Sequence, residues 1–150
     1  MPSCADPNTL CTMNERNMTM TVKRISVATA PAPGGAYSQA VAANGFLFTA
    51  GMGPIDPATG EVAGDDAAGQ TRQVMRNLQQ LLEAEGLGFS DVVKATVHLQ
   101  DVERDFAAYN RAYESFFTDG LPVRTTVGST LLGILVEIDF VVAYPETASA

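Results

Sequence analysis

Two charged residues lie next to or within apolar strand-like segments, and they are the main candidates for chemistry. Arg124 follows a Pro-Val dipeptide where a loop enters a strand, and Glu137 lies within the run LVEIDFVV at 135–142. An unpaired buried charge costs several kcal/mol, so Glu137 must be solvated, paired or facing a polar cavity. Asp139, two residues further on, projects to the same side of the segment as Glu137. The spacing leaves two interpretations open: an Arg124–Glu137 ion pair between neighbouring strands, or two groups that face a ligand.

Other catalytic patterns are hard to assemble from this sequence. Cys4 and Cys11 both lie in the opening stretch and His98 is the only histidine, which disfavours a tetrahedral zinc site or a Ser-His-Asp triad. No Walker or dinucleotide glycine pattern is present. His98 stands between Val97 and Leu99 on an alternating segment, which favours a hydrogen-bonded structural histidine over a catalytic one. The sequence therefore predicts no metal site.

Composition and charge restrict the class of protein and its partners. A length of 150 residues, 46% of them hydrophobic, indicates one globular domain. Nine basic against 17 acidic residues give a net charge of -8 with no basic stripe, which disfavours nucleic acid and anionic lipid as partners. No run reaches the ~18 apolar residues of a membrane helix and the start lacks an apolar signal segment, so we expect a cytoplasmic protein.

Patterned sequence begins only at Val22. Residues 1–21 are polar and aperiodic, which predicts a disordered N-terminal tail in which Met18 or Met20 is an alternative start of translation. Residues 22–145 form the single predicted domain, and residues 146–150 form a C-terminal tail.

Turn signals and hydrophobic periodicity predict the elements that must position Arg124 and Glu137. Asn44-Gly45 is a strong hairpin signal because both turn positions need a positive φ. Asp65 or Asp66 can cap a helix that Gly86 ends. The predicted strands are 22–27, 40–43, 46–50, 91–99, 124–129 and 135–143, and the predicted helices run to about Glu85 and over 105–117.

This order of elements predicts an α+β fold, a mixed and mostly antiparallel sheet with two helices on one face. The would-be outer residues of the sheet are largely apolar or small. We therefore expect other subunits to cover that face in a closed cyclic oligomer.

Over about residues 23–143 the sequence resembles the RidA/YjgF/YER057c/UK114 family of reactive intermediate deaminases. The resemblance rests on several short segments that are specific only in combination. They are APGGAYSQA at 32–40, FTAG at 48–51, TGE at 59–61, QTRQV at 70–74, DVVK at 91–94, DF at 105–106 with Asn110 and Tyr113, PVR at 122–124 and VEI at 136–138.

The resemblance implies a chorismate-mutase-like subunit in a homotrimer, with a central barrel of sheets and clefts between subunits. It also implies metabolite damage control: cofactor-free hydrolysis of the C=N bond of 2-imino and enamine acids, such as 2-iminopropanoate and 2-iminobutanoate, to 2-oxo acids and ammonia. The chain would then be a 2-iminobutanoate/2-iminopropanoate deaminase-like hydrolase. Ribonuclease activity has also been attached to the family, but the charge of -8 disfavours RNA as a partner.

Residue by residue, the resemblance makes Arg124 the carboxylate clamp and Glu137 the water-orienting group. Tyr37 matches a pocket tyrosine, Asn110 a helix-borne asparagine near the cleft, and Gly51 a position whose backbone lines the site. For Tyr37, an aromatic packing role with a solvated hydroxyl is the alternative.

Several positions depart from the family pattern, and they bear on the size of the substrate. Ala50 replaces a common serine, Met52 and Gly53 replace glutamine and isoleucine, and Thr126 stands where a cysteine is frequent, although backbone contacts there can survive. The loop from Arg124 to Glu137 is about two residues shorter than is usual in the family. Two alternatives follow: a non-catalytic module that binds small 2-oxo or 2-imino acids, and a deaminase of a larger unsaturated amino acid from pyrimidine or aromatic catabolism.

Overall fold

A six-stranded sheet carries two helices on one of its faces. The computed structural model describes residues 21–146; the predicted tails, apart from residues 21 and 146, and with them Cys4, Cys11, Met18 and Met20, lie outside the described residues. In chain order the elements are β1 (Lys23–Ile25), β2 (Ala40–Ala43), β3 (Phe46–Thr49), α1 (Ala67–Ala84), β4 (Val92–Leu99), α2 (Val102–Glu114), β5 (Val123–Gly128) and β6 (Val136–Ala143). A short 3-10 turn, Phe89–Asp91, precedes β4.

The strands are arranged in the order β1-β2-β3-β6-β4-β5. Every neighbouring pair is antiparallel except β4 and β5, which are parallel and joined through α2. The predicted α+β class with a mixed, mostly antiparallel sheet is confirmed. The order also places β4 between the strand that carries Arg124 and the strand that carries Glu137.

The hairpin between β2 and β3 has the predicted turn. Asn44 and Gly45 both have positive φ, 51° and 78°, and Ala43 pairs with Phe46 across the turn. These are the backbone angles that a two-residue hairpin turn requires.

Side-chain caps set the start of both helices. Asp66 Oδ1 accepts a hydrogen bond from the Gly69 amide at 2.6 Å, so Asp66 is the cap of α1. Asp101 Oδ1 accepts from the Arg104 amide at 3.0 Å, so α2 begins three residues before the predicted start at 105. The predicted end of α2 at 117 is also wrong: the helix ends at Glu114, because the Phe116 and Phe117 amides donate to carbonyl oxygens three residues back, which is a tighter turn than that of an α-helix.

The core lies between the helices and one face of the sheet. Val74, Leu78, Leu81 and Leu82 of α1 are fully buried. On β4 the predicted alternation fails at Val93, which is exposed because a register shift between Val92 and Lys94 turns it outward. Within residues 21–146, neither helix has the length and apolar character needed to cross a membrane.

The end of β6 is tied to the end of α1, and this gives a first testable prediction. The Tyr144 hydroxyl donates to Glu85 Oε2 at 2.8 Å, and Lys23 Nζ lies 3.2 Å from the same oxygen. Tyr144→Phe is expected to lower the free energy of unfolding by about 1 kcal/mol. Urea denaturation at neutral pH measures this loss.

The same contact should depend on pH. Burial, together with the Glu85 carboxylate, raises the pKa of Tyr144 to about 12. A phenol whose pKa is raised by folding contributes stability that is complete below about pH 10 and is lost as the pH rises towards 12. The stabilities of wild type and Tyr144→Phe should therefore converge over that range. A constant difference at every pH would contradict this assignment.

Candidate functional site

Glu137 faces a cavity of about 600 Å³, here called the Glu137 pocket. Tyr37, Gly51 and Glu137, three of the predicted site residues, line it together. Tyr37 is half exposed at the rim rather than part of the core, and its hydroxyl accepts a hydrogen bond from the Gly34 amide at 2.9 Å. The structure thus brings together the tyrosine, the glycine and the carboxylate.

Gly51 lies against the carboxylate because its segment runs beside β6. The backbones of Met52 and Ile138 exchange two hydrogen bonds of 2.8 and 3.1 Å, which places Gly51 next to Glu137. A methyl group at position 51 would lie 2.6 Å from Glu137 Oε1 and 2.8 Å from its carboxyl carbon. Only a residue without a side chain leaves the carboxylate in this position.

Two buried carboxamides of α1 hold the walls of the pocket. Asn77 Nδ2 donates to the carbonyl oxygens of Gly53 at 3.1 Å and Ile55 at 2.8 Å. Gln70 Oε1 accepts from the Leu135 amide at 2.7 Å, just before β6. Neither residue was predicted as part of the site from the sequence. The sequence did contain a signal for them. They are seven residues apart, so they lie on one side of the helix, together with its apolar residues.

A third buried carboxamide shapes the loop that carries Tyr37. Gln39 is buried, and its Nε2 donates to the carbonyl oxygens of Pro31 at 2.8 Å and Val27 at 3.1 Å. Its Oε1 accepts from the Val27 amide. These bonds satisfy backbone groups in a proline-rich loop that cannot join the sheet.

Arg124 lies in a second, smaller cavity of about 300 Å³, here called the Arg124 pocket. Asn110 also lines it, and Asn110 Oδ1 accepts from Arg124 Nη1 at 2.9 Å. The guanidinium carbon lies 5.8, 5.4 and 4.9 Å from the ring centres of Phe106, Tyr109 and Tyr113. Cation–π contacts on α2 and one hydrogen bond thus fix the plane of the guanidinium, which has further N–H groups for an anion.

Thr126 lies on the same side of β5 as Arg124, but outside the lining of the Arg124 pocket. Its hydroxyl is 3.4 Å from that of Tyr109. Burial raises the pKa of Tyr109, against the effects of the Thr126 hydroxyl and the Arg124 charge. In the single chain Thr126 therefore supports the aromatic cluster beneath the guanidinium.

Tyr113 provides a second prediction. Its hydroxyl is buried and has no hydrogen-bond partner among the residues described, and burial raises its pKa. Tyr113→Phe removes an unsatisfied polar group and should raise the free energy of unfolding by about 1 kcal/mol. Tyr109→Phe is the matched control, because it removes a hydroxyl that lies near Thr126 and should lower stability. Equal losses in the two variants would show that the Tyr113 hydroxyl is hydrogen-bonded in solution.

Arg124 and Glu137 point to opposite faces of the sheet. Arg124 pairs with Ala95 of β4, which is buried under the helices, whereas Glu137 pairs with His98 three residues further along. Residues an odd number of positions apart on a strand face opposite sides. Of the two interpretations left open by the sequence, the Arg124–Glu137 ion pair is therefore wrong: β4 separates the two strands, and no salt bridge found over residues 21–146 joins these side chains.

The face opposite the helices, here called the open face, also carries His98 and Asp139. His98 Nδ1 is 2.6 Å from Ser129 Oγ, the kind of partner expected of a structural histidine. Asp139 shares this face with Glu137, as predicted. Burial raises the pKa of Asp139, opposed by the charges of His98 and Lys94 and by a hydrogen bond from Thr96. Across the described part of the chain, no group of three or more His, Cys, Asp and Glu side chains could hold a metal ion.

Comparison with known proteins shows the family to which this chain belongs. The family model described as endoribonuclease L-PSP, which represents the YjgF/RidA family, matches residues 27–144. The chain belongs to this family. The predicted family resemblance is confirmed.

Individual members of the YjgF/RidA family are similar over most of their length. A RutC family protein of Pyrococcus horikoshii is 46% identical over 119 residues, which cover 78% of this chain and 93% of that protein. The 2-iminobutanoate/2-iminopropanoate deaminase of Salmonella typhimurium is 43% identical over 97 residues, 65% of this chain and 74% of the deaminase. The crystal structure of the YjgF gene product from E. coli superimposes with a TM-score of 0.75 at 38% identity, covering 81% and 98% of the two chains.

Proposed function

We propose that this YjgF/RidA protein hydrolyses reactive 2-imino acids, such as 2-iminopropanoate and 2-iminobutanoate, to 2-oxo acids and ammonia. The observation that carries the proposal is the pair of pockets: one presents a fixed guanidinium and the other a carboxylate beside a cavity. The relative named as a deaminase of these two imino acids supports the same substrate class.

Arg124 is suited to bind the substrate carboxylate. A guanidinium offers two parallel charge-assisted hydrogen bonds that fix the plane of a carboxylate, which the point charge of a lysine cannot do. Asn110 and the three aromatic rings of α2 already hold the Arg124 guanidinium in place. Little side-chain freedom is left to lose on binding, which favours affinity.

Glu137 is suited to position and activate a water molecule. Water adds to the carbon of the C=N bond, the carboxylate takes a proton from it, and the nitrogen gains protons and leaves as ammonia while the C=O bond forms. The overall reaction consumes one water and needs no redox partner. A carboxylate within reach of the water is sufficient as a base because the imine is already electrophilic.

A second copy of the chain would complete the site. Within one chain the two pockets open on opposite faces of the sheet, so a small imino acid cannot touch both Arg124 and Glu137. The open face exposes large apolar side chains, among them Phe48 and Val123, which are 46% and 66% exposed. Covering these residues with neighbouring copies in a closed ring, a homotrimer by family resemblance, would bring the Arg124 pocket of one copy to the Glu137 pocket of the next.

A coupled assay tests the function. A threonine or serine dehydratase generates the imine, and formation of the 2-oxo acid is followed while semicarbazide traps the imine that survives. Wild type should accelerate hydrolysis and lower the semicarbazone yield. Arg124→Ala should lower kcat/KM by at least about 100-fold, because it removes two charge-assisted hydrogen bonds.

Arg72→Ala is the matched control, because Arg72 is exposed and lies outside both pockets. It should retain wild-type activity. Tight binding of 2-oxobutanoate by wild type without acceleration of either imine would exclude the small-imine deaminase and leave the non-catalytic binding module or a deaminase of a larger substrate.

A further inference from the structure

The proposed base, Glu137, and the glycine beside it lie on two separate segments of the chain. Gly51 follows β3, Glu137 belongs to β6, and a methyl group at position 51 would lie 2.6 Å from Glu137 Oε1. The backbone bonds between Met52 and Ile138 join the two segments at one point. A base must lie within hydrogen-bond reach of the water that it deprotonates, so the spacing of these segments matters for the proposed reaction.

Asn77 of α1 holds the segment that carries Gly51. Its Nδ2 donates to the carbonyl oxygens of Gly53 at 3.1 Å and Ile55 at 2.8 Å, and Gly53 is only two residues beyond Gly51. Its Oδ1 accepts from Gln73 Nε2 at 2.9 Å. Because the oxygen is engaged by Gln73, the amino group must face the two carbonyls, and the orientation of the amide is determined.

Gln70, two turns earlier in α1, holds the segment that carries Glu137. Its Oε1 accepts from the Leu135 amide at 2.7 Å, two residues before Glu137. Its Nε2 donates to the carbonyl oxygen of Gly64 at 3.1 Å. Only the first of these two bonds reaches the strand that carries the carboxylate.

Both amides act from the side of the sheet that the helices cover. Asn77 and Gln70 belong to the buried side of α1 and are 1% and 5% exposed. Covering the open face with a second copy therefore leaves their bonds as they are. Buried polar groups whose hydrogen bonds are all satisfied make the surrounding structure rigid. One rigid helix thus holds both segments, each at a point two residues from the contact between Gly51 and Glu137.

We infer that Asn77 and Gln70 are positioning residues for the proposed deaminase, which set the spacing between Gly51 and Glu137 and so place the carboxylate that activates water. This inference rests on the proposed function and names residues that act through Glu137. A displacement of about 1 Å can lower a rate about 100-fold. The substrate carboxylate depends instead on Arg124, which α2 holds. Loss of either amide should therefore lower catalysis without weakening anion binding.

The same chemical change at the two positions tests the inference. Asn77→Asp places an oxygen where the amino group faces Gly53 and Ile55, and it should lower kcat/KM for 2-iminobutanoate by at least about 10-fold. Gln70→Glu keeps the acceptor for the Leu135 amide and loses only the bond to Gly64, so kcat/KM should stay within about threefold of wild type. Both variants put a carboxyl group into the core, so its cost in stability does not explain a difference in activity.

Two further variants separate positioning from packing. Gln70→Met has a similar shape but no acceptor for the Leu135 amide, and it should lower kcat/KM by at least about 10-fold. Thr71→Val is the control, because Thr71 is buried in the same helix and its hydroxyl donates only within α1, to the Ala67 carbonyl at 2.6 Å. It should lose stability and keep its activity. In every folded variant, calorimetric titration should give a Kd for 2-oxobutanoate within about threefold of wild type.

The coupled dehydratase assay supplies the rates, and thermal unfolding shows which variants are folded at the assay temperature. Wild-type kcat/KM in folded Asn77→Asp or Gln70→Met would overturn the inference. So would equal losses in Asn77→Asp and Gln70→Glu, or a loss matched by weaker binding of 2-oxobutanoate. In each of these cases wild type still hydrolyses the imine, and the proposed function stands. If wild type accelerates neither imine, the proposed function fails, and the positioning inference with it.

Discussion

An equal mixture of Arg124→Ala and Glu137→Gln chains, unfolded and refolded together, is expected to regain about a quarter of wild-type deaminase activity. Each variant refolded alone should be almost inactive. The expectation follows from the sheet: Arg124 pairs with buried Ala95 and faces α2, while Glu137 pairs with His98 and faces the open side. One chain cannot present both groups to a small substrate, so the proposed site would draw them from two copies.

The size of the recovery follows from random assembly. Half of the chains can supply an intact Arg124 and half an intact Glu137, so about one interface in four receives both. A mixture of wild type with the double variant Arg124→Ala/Glu137→Gln is the matched control. It should also give about a quarter of full activity if sites lie between copies, and about half if each site lies within one chain.

The two mixtures together exclude the alternatives. The proposed arrangement would be contradicted if the mixture of the two single variants recovered almost no activity while the control mixture recovered about half of full activity. That result would place both groups in one chain. Sedimentation of each refolded sample should show the same assembly size. A loss of activity can then not be explained by a failure to assemble.

The local elements were predictable because short sequence signals determine them. Asn44-Gly45 has the two positive φ angles expected of its turn, and Asp66 caps α1 through a side-chain hydrogen bond. The signal at Asp101 is equally local but lies before the apolar residues used to place α2, so the predicted start came three residues late. The displacement of Val93 depends on a bulge that periodicity does not show.

The relation between the two charged residues was not predictable in the same way. Whether β5 and β6 are neighbours depends on long-range pairing, and β4 inserts between them. The residue types indicated Arg124 and Glu137 as candidates, and each of the two lines a cavity. The buried amides Asn77 and Gln70 were not predicted because hydrophobic periodicity indicates which face of α1 is buried, but not which distant backbone groups a polar side chain on that face would bind.

Gly51→Ala is expected to lower kcat for 2-iminobutanoate by about 100-fold with a change in the free energy of unfolding below about 1 kcal/mol. The added methyl group would lie 2.6 Å from Glu137 Oε1, so the carboxylate must move. The cost in stability is small because the displaced atoms are the end of a flexible side chain and Gly51 does not have a positive φ. Steady-state kinetics and thermal unfolding on the same sample measure the two effects.

Two controls show whether the methyl group acts through Glu137. Gly88→Ala is the same substitution where the nearest atom, Ser90 Oγ, would be 4.0 Å away, and it should leave both kcat and stability unchanged. In a Glu137→Gln background, Gly51→Ala should lower kcat little further, because the carboxylate it displaces is already gone. A further 100-fold loss in that background would mean that the methyl group blocks the substrate itself. Gly51 would then be part of the pocket wall rather than the residue that leaves room for the carboxylate.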